Sequence, residues 1–450
     1  MASFLFNDFD TITAAAWKQK IQVDLNGLDY NESLIWKSNN GISVKPFYTK
    51  EDRHLSKISL PDVDYNICQT IFVDNIEIAN KLALDSIERG ATAIQFIANK
   101  KFNYKLLLDN IDIDKTSLYL KLEFLDATFV NDIHNYYNNS HIYFQIDIIG
   151  NLASSGNWYT NMNSDIAETK KFIYNSNNSI CVNASLYQNA GASIIQELAY
   201  ALAHTNEYIE IFGPSIITKI HYNFSIGNNY FFEVAKLRAF RILLDALLNE
   251  YKIDDFTAHI FSKPTLRNKT IYDYNVNMLR TTSECMSAIL GGVNTISNIS
   301  YDSIYHKSNE FGERIARNQL LILKNEAYFS DAHKITDGSY YVESLEKQFA
   351  EKALQLFKQI EKSGGFLSQL KKGAIQRKIN EHAEEEQDRF NQNKTILLGT
   401  NLLPELTNKM KHELQIYPFL KTNNSKTLIP PILKKRLSEH LEQKRLKKEL

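Results

Sequence analysis

A chain of 450 residues, 44% hydrophobic and 23% charged, has the composition of a folded globular protein, with room for one large domain and extensions or for two to three smaller ones. A formal net charge of −1 excludes a global field that would draw in nucleic acid or an acidic membrane surface. Three cysteines, Cys68, Cys181 and Cys285, lie far apart without C-x-x-C spacing, which excludes a disulfide frame and reads as buried thiols in a reducing compartment.

The N-terminus, MASFLFNDFDTITAAAWKQ, shows no basic leader followed by an apolar run, and no apolar segment approaches the ~20 residues that span a bilayer. The expectation is a cytoplasmic protein with no membrane partner. Residues 1–65 read as an extended N-terminal arm: a short amphipathic helix over Thr13–Val23, then LIWKSNNGISVKPFY with a Gly turn and a Pro. Phe4, Phe6, Phe9, Trp17, Trp36 and Phe47 exceed what so short a segment can bury by itself. The arm therefore lies either against a partner or back on its own chain.

From residue 66 a strand-helix rhythm sets in. The strands read ICQTIFVD, TAIQFIAN, TSLYLKLEFLD, IYFQIDIIG, ICVNAS, KIHYNFS, FTAHIFS and VNTISNIS, and a helical pattern follows each one. The clearest helices are IEIANKLALDSIERG closing at Gly90, Ala190–Ala203, Tyr230–Tyr251, Val276–Leu290 and Phe311–Phe329. Eight such units within residues 66–330 predict an α/β fold, a (β/α)₈ TIM barrel. A doubly wound open sheet is the alternative. It would carry a Gly-rich phosphate loop after the first strand, and Asp74-Asn75-Ile76-Glu77 is not one. Residues 331–450 form a helical extension: an amphipathic helix ending at Gly364-Gly365, a helix over Leu367–Phe390, a short strand in KTILLGTNLLP, and a basic tail LIPPILKKRLSEHLEQKRLKKEL read as a solvated helix.

Barrel chemistry is mounted at the C-terminal ends of the strands. Those positions offer Asp74 and Asn75, Asn99 and Lys100, Asp126, Asp147 and Asn151, Ser185 and Tyr187, Ser225 and Asn228, Ser262 and Lys263, and Asn298 with Tyr301. No strand-end His accompanies the carboxylates. Two of them could act on a glycoside, but aspartates at strand ends mostly cap the next helix. No H-E-x-x-H, metal-ligand spacing, P-loop, G-x-S-x-G or kinase set appears. His382, among carboxylates in NEHAEEEQ, reads as part of a solvated face, and Asp337-Gly338 as a turn before a helix.

Several segments together resemble the adenosylcobalamin-dependent acyl-CoA mutases, methylmalonyl-CoA mutase in particular: LIWKSNNGISVKPFYTKED, YQNAGASIIQELAYALA, NYFFEVAKLRAFRILLDAL, YDYNVNMLRTTSECMSAILGGVN, EFGERIARNQLLILKNEAYFSD, DGSYYVESLEKQFAEKALQLFKQIEKSGG and AIQRKINEHAEEEQDRF. They run in the family's order from residue 34 to about 400, and the resemblance implies a (β/α)₈ substrate barrel. Its departures are informative. Catalytic chains of the family carry a Y-H-M-Q-E-A-G pattern at the fifth strand end, where Tyr and His hold the substrate. Aligning Q-x-A-G on Gln188, Asn189, Ala190 and Gly191 puts Ser185 and Leu186 in those two places.

Leu cannot donate to a thioester carbonyl, and Ser lacks a ring to wedge beside the cofactor. The arginine- and tyrosine-rich segment that grips the substrate carboxylate is shortened to DRHLSKISLPDVDYNICQ, keeping Arg53. The family's D-x-H-x-x-G cobalt-ligating loop is not matched, since Asp331-Ala332-His333 continues with Lys, Ile and Thr. The resemblance thus implies a small, non-catalytic mutase subunit with no catalytic, cofactor-binding or metal residues of its own. It implies a large catalytic subunit as partner in a heterodimer, adenosylcobalamin carried by that subunit rather than by a cobalamin-binding domain here, and vestigial acyl-CoA binding. Two alternatives stay open: an active mutase subunit for a related acyl-CoA whose cobalamin domain is a separate chain, and a stand-alone barrel hydrolase or lyase.

Overall fold

Eight short segments, nearly all of them apolar on the side facing the helices, pair side by side and all run the same way. They are β1 (Asn66–Phe72), β2 (Ala93–Ala98), β3 (Ser117–Leu122), β4 (Ile142–Phe144), β5 (Ile180–Asn183), β6 (Ile220–Ile226), β7 (Ile260–Pro264) and β8 (Thr295–Ile296). Their order is β4-β3-β2-β1-β8-β7-β6-β5, and every pairing is parallel. The remaining seam, between β4 and β5, is bridged by Phe144 N–H donating to Asn178 O and Cys181 N–H to Ile146 O, both at 2.9 Å. The expected barrel is present. The computed structural model describes residues 9–53, 58–61, 64–421 and 426–449, apart from the side chains of residues 331 and 333. Phe4, Phe6, parts of the shortened segment before β1, and the side chains of Asp331 and His333 lie outside the described residues.

Some expected elements shift. The run IYFQIDIIG is strand only to Phe144, because Asp147 caps a helix beginning at Ile148 and takes the backbone out of the sheet. β7 begins at Ile260, later than expected, and β8 shrinks to two residues. The fifth helix starts at Ile194 and runs to Phe212, preceded by a single turn, Ser185–Asn189. KTILLGTNLLP forms no strand, only an isolated bridge between Leu398 and Leu402.

Strand alternation puts one set of side chains on the helices and the other in the lumen. The lumen is full. Tyr119 stacks on Tyr143 with ring centroids 4.8 Å apart, Tyr143 on the His259 imidazole at 4.2 Å, and Tyr119 meets Phe261 at 4.7 Å. Tyr119 OH also lies 2.7 Å from Thr295 Oγ1 and 2.8 Å from His259 Nε2.

The flanking segments fold onto the barrel. From Trp36 onward the arm packs on its own chain: Trp36 meets Phe232, Tyr48 meets Tyr341, and Ser43 exchanges two hydrogen bonds with Gln348. Earlier in the arm, Ile12, Val23 and Leu28 remain more than half exposed, and the helix Ala14–Asp24 buries no residue.

The basic tail departs most from expectation. It is not a solvated helix. Its first part crosses the C-terminal ends of the strands as an extended strap, with backbone N–H groups of Ile429, Ile432, Lys435 and Leu437 donating to Gly156, Ala153, Asn189 and Arg267 carbonyls. The helix Glu439–Leu446 that follows is anchored by Arg436, buried and paired with the fully buried Glu442 at 2.7 Å. Among the described residues, no helix is long and apolar enough to cross a membrane.

Candidate functional site

The mouth of the barrel is where strand-end chemistry would be mounted, and β5 leads directly into it. Asn183 ends the strand, its N–H donating to Asp147 Oδ2 at 2.9 Å. Ser185 Oγ donates to Asn183 Oδ1 at 2.5 Å, which ties the hydroxyl down within its own turn. Leu186 is 1% exposed and faces the underside of the strap. Between it and the strap lies a chamber of about 400 Å³ whose lining includes Asn189, Leu266, Ile432, Lys434 and Arg436. Ser185 and Leu186, the two positions singled out by the resemblance, therefore come together at the mouth, where one is a hydroxyl used locally and the other an apolar contact.

The turn after them keeps its backbone role. Gly191 has φ +103°, and a Cβ there would stand 2.5 Å from Ala383 Cβ and 2.9 Å from the Arg267 guanidinium, so only glycine fits. Asn189 is the hub. Its amide nitrogen donates to Ser185 O and Ser225 Oγ, and its oxygen accepts from Thr265 Oγ1 and Leu266 N–H. One side chain thereby ties the ends of β5, β6 and β7.

The strand-end aspartates behave mainly as caps. Asn75 and Asp126 accept from Ile78 and Phe129 N–H, opening the helices after β1 and β3, and Asp126 also pairs with Lys101. Asn99, Lys100, Asp74 and Asn228 sit on the surface. Asn151 donates to Asn157 O. Asn298 turns outward to Ala316 O and Gln319, and Tyr301 packs on Tyr274. Ser262 is buried. Tyr187 also turns away from the mouth: it is fully buried between Tyr200 and Phe366. Arg53 lies 3.8 Å from Glu343 and not at any strand end.

Two histidines, one passed over in the sequence and one read there as solvated, are brought in by helices. His204, on Ile194–Phe212, is wholly buried, with Nε2 3.1 Å from Asp147 Oδ1 and Nδ1 3.0 Å from the Tyr187 hydroxyl. Burial alone would raise the Asp147 carboxyl. The imidazole and donors from Tyr208 and Asn183 outweigh it and hold that carboxyl below its ordinary value. An acid-base pair thus exists at the β4 end, but it faces helices rather than the chamber. The second is His382, which is no solvated residue: Nδ1 donates to Gly191 O at 2.7 Å, fastening the helix Ala374–Asn391 to the β5 turn. No local signal marks His204, because its partners are 17 and 57 positions away in sequence.

A further buried group lies behind the mouth. Lys236 sits between Glu197 and Glu233, at 2.9 and 2.5 Å, and donates to Ser225 O. With two carboxylates for one ammonium, burial pushes Glu197 up to about 7, with Lys236 opposing and Glu233 adding to the rise.

A corrin-sized cofactor at the strand ends would need open space above Leu186. The strap occupies that face and is fixed there by backbone hydrogen bonds. The residues present do not fit the group.

Comparison with known proteins places these observations. The family described as methylmalonyl-CoA mutase matches residues 98–444. A methylmalonyl-CoA mutase small subunit of Porphyromonas gingivalis is 32% identical over 443 residues, covering 90% of this chain and 71% of its own length. The large subunit from the same organism is 28% identical and is covered over 39% of its length by 62% of this chain. A methylmalonyl-CoA mutase of Rhizobium meliloti is 34% identical over half of this chain, which spans 33% of that relative.

Proposed function

The chain belongs to the methylmalonyl-CoA mutase family, and we propose that within it the chain serves as the small, non-catalytic subunit of a two-chain enzyme. In that enzyme a large subunit carries adenosylcobalamin and isomerises methylmalonyl-CoA and succinyl-CoA, in the cytoplasm. The observation that carries this reading is Leu186, buried beneath the strap at the position where a catalytic chain has a hydrogen-bonding imidazole. A leucine there can neither donate to a thioester carbonyl nor position a radical next to it.

The lumen supports the same conclusion. An active subunit for a related acyl-CoA would keep an open apolar lumen, whereas this one is filled by Tyr119, Tyr143, His259 and Phe261. A hydrolase would need its acid-base pair exposed, and Asp147–His204 is buried. Vestigial acyl-CoA binding is accordingly confined to the mouth, outside the filled lumen.

What the chain contributes is a folded barrel of the family's type for the large subunit to pack against. The N-terminal arm is the element we assign to that contact, because Ile12, Trp17, Val23 and Leu28 are apolar and more than half exposed. Its second half, from Trp36, anchors the arm to the barrel.

Co-purification with a large mutase chain, with turnover assayed in the presence and absence of this chain, tests the reading. The expected result is a stable complex in which only the large chain needs an intact Tyr-His pair. Turnover by this chain with adenosylcobalamin alone, or failure to form any complex, would overturn it.

A further inference from the structure

A cleft of about 210 Å³ lies against the wall of the barrel, where the helices Ile76–Glu88 and Glu310–Asn325 flank β1. Strand alternation turns Thr70 into the lumen, towards Gln95 and Ser297, and turns its neighbours Gln69 and Ile71 outward to the helices. The lining therefore mixes an amide with an apolar side chain. Phe72 and Leu82, each about half exposed, extend the apolar part, and Arg317 of the second helix adds a guanidinium.

Arg317 is 6% exposed, and a guanidinium so buried ordinarily carries a carboxylate. Arg238, Arg267 and Arg436 each have one, and Arg241 spends Nη1 and Nη2 on backbone carbonyls. Arg317 differs. Its Nη1 donates to Gln69 Oε1 at 2.8 Å, its Nε is buried without an acceptor, and among the described residues it forms no ion pair. Gln69 is the reason. Its oxygen accepts from Arg317 while its amide donates to Glu313, one turn earlier on the same helix, so it stands as a neutral spacer between two charges that could otherwise pair. The other carboxylates of the cleft are engaged or peripheral: Asp85 pairs with Arg89 at 2.7 Å, and Glu310 is exposed.

A carboxylate offers the paired acceptors that a planar guanidinium matches best. Only a single negative charge is tolerable, because Asp85, Glu310 and Glu313 also line the cleft and repel more. The apolar part formed by Ile71, Phe72 and Leu82 suits an aliphatic tail. A volume below the ~300 Å³ at which pockets for drug-sized ligands begin keeps that tail short.

We propose that this cleft binds a short-chain aliphatic monocarboxylate, with its carboxylate on Arg317 and its tail against Phe72 and Leu82. The bound anion supplies the counter-charge that Gln69 keeps from Arg317. Arg314, exposed on the same lining, adds attraction without being needed for the contact. The site shares no side chain with the β5 turn or the strap.

The test is titration of the full chain with butyrate, read by saturation-transfer NMR on the ligand's methyl protons. Saturable binding with a Kd on the order of 1 mM is expected. Acetate, which lacks two of butyrate's methylenes, should bind about tenfold more weakly. n-Butylamine should not bind, and inorganic phosphate should not displace butyrate. Arg317→Met breaks no ion pair and should fold, while losing about tenfold or more in affinity. Leu82→Gln, on a half-exposed residue, should remove most of the preference for butyrate over acetate, and it decides the matter if thermal melting shows Arg317→Met to be unfolded. No saturation up to about 50 mM, equal binding of n-butylamine, displacement by phosphate, full affinity in a folded Arg317→Met, or an unchanged chain-length preference in Leu82→Gln would overturn the proposal. The titration uses this chain alone, so its failure says nothing against assembly with a large mutase chain.

Discussion

Asp147 and His204 stand 3.1 Å apart at the seam of the barrel, the imidazole wholly buried and the carboxylate nearly so. They join the end of β4 to the helix Ile194–Phe212, and Tyr208 OH donates to the same carboxylate oxygen at 2.7 Å. The pair acts as a structural clamp across the one seam that strand pairing leaves open.

His204→Phe is therefore expected to lower stability by about 2–4 kcal/mol, because it strands a buried carboxylate. The pH dependence follows from the depressed Asp147 carboxyl. Its folded value lies below the unfolded one of about 3.9, so its contribution is present above about pH 4 and is lost as pH falls through the folded value. Urea unfolding from about pH 5 to pH 2 should show a flatter acid limb in the variant. An unchanged limb would remove Asp147 from this role.

Glu197 has the opposite sign. Its folded value is raised to about 7, against about 4.3 when unfolded. Its contribution is complete below about pH 4.3 and is lost as pH rises towards 7. Glu197→Gln leaves Lys236 with one carboxylate, Glu233, and should flatten the stability profile across that window while being neutral or stabilising at pH 8. Thermal melts across the window decide it.

Restoring the family's two side chains should not restore catalysis. The double substitution Ser185→Tyr with Leu186→His places larger groups under a strap held by backbone hydrogen bonds. The expected outcome is a loss of about 1–3 kcal/mol from overpacking and no turnover with adenosylcobalamin. Measurable turnover would show the mouth to be competent and the strap displaceable.

Arg436→Ala leaves Glu442, which is fully buried, without its partner. A cost of about 3–5 kcal/mol is expected, expressed locally as release of the tail. Limited proteolysis should cut beyond residue 426 in the variant while the barrel stays intact.

Replacing Trp17 and Leu28 together by Ala should leave thermal stability almost unchanged, since both are more than half exposed. Affinity for a large mutase chain should drop by more than 1 kcal/mol. Equal affinity in a pull-down titration would move the contact to another face.

The barrel was legible because its signals are local. Apolar strand runs such as ICQTIFVD alternate with helical periods, and Gly90 marks a helix end that the structure places within two residues. The turn after β5 was legible too, because Gly191 in Gln188-x-Ala190-Gly191 marks the positive-φ position the structure shows. The strap was not. Its Lys and Arg residues read as a solvated helix because the hydrogen bonds that bury it reach carbonyls at Gly156 and Asn189, and nothing in a tail's own pattern announces so distant a partner. His204 was missed for the same reason, since its partners Asp147 and Tyr187 belong to other elements.

The strap also orders events in time. Its carbonyl partners at Ala153, Gly156, Asn189 and Arg267 are made well before residues 428–437 emerge, and Leu428 reaches back 271 positions to Asn157. Closing contacts of such long sequence separation is slow, and chains fold from the N-terminus as they are synthesised. The barrel must therefore hold together with its mouth uncovered until the tail leaves the ribosome.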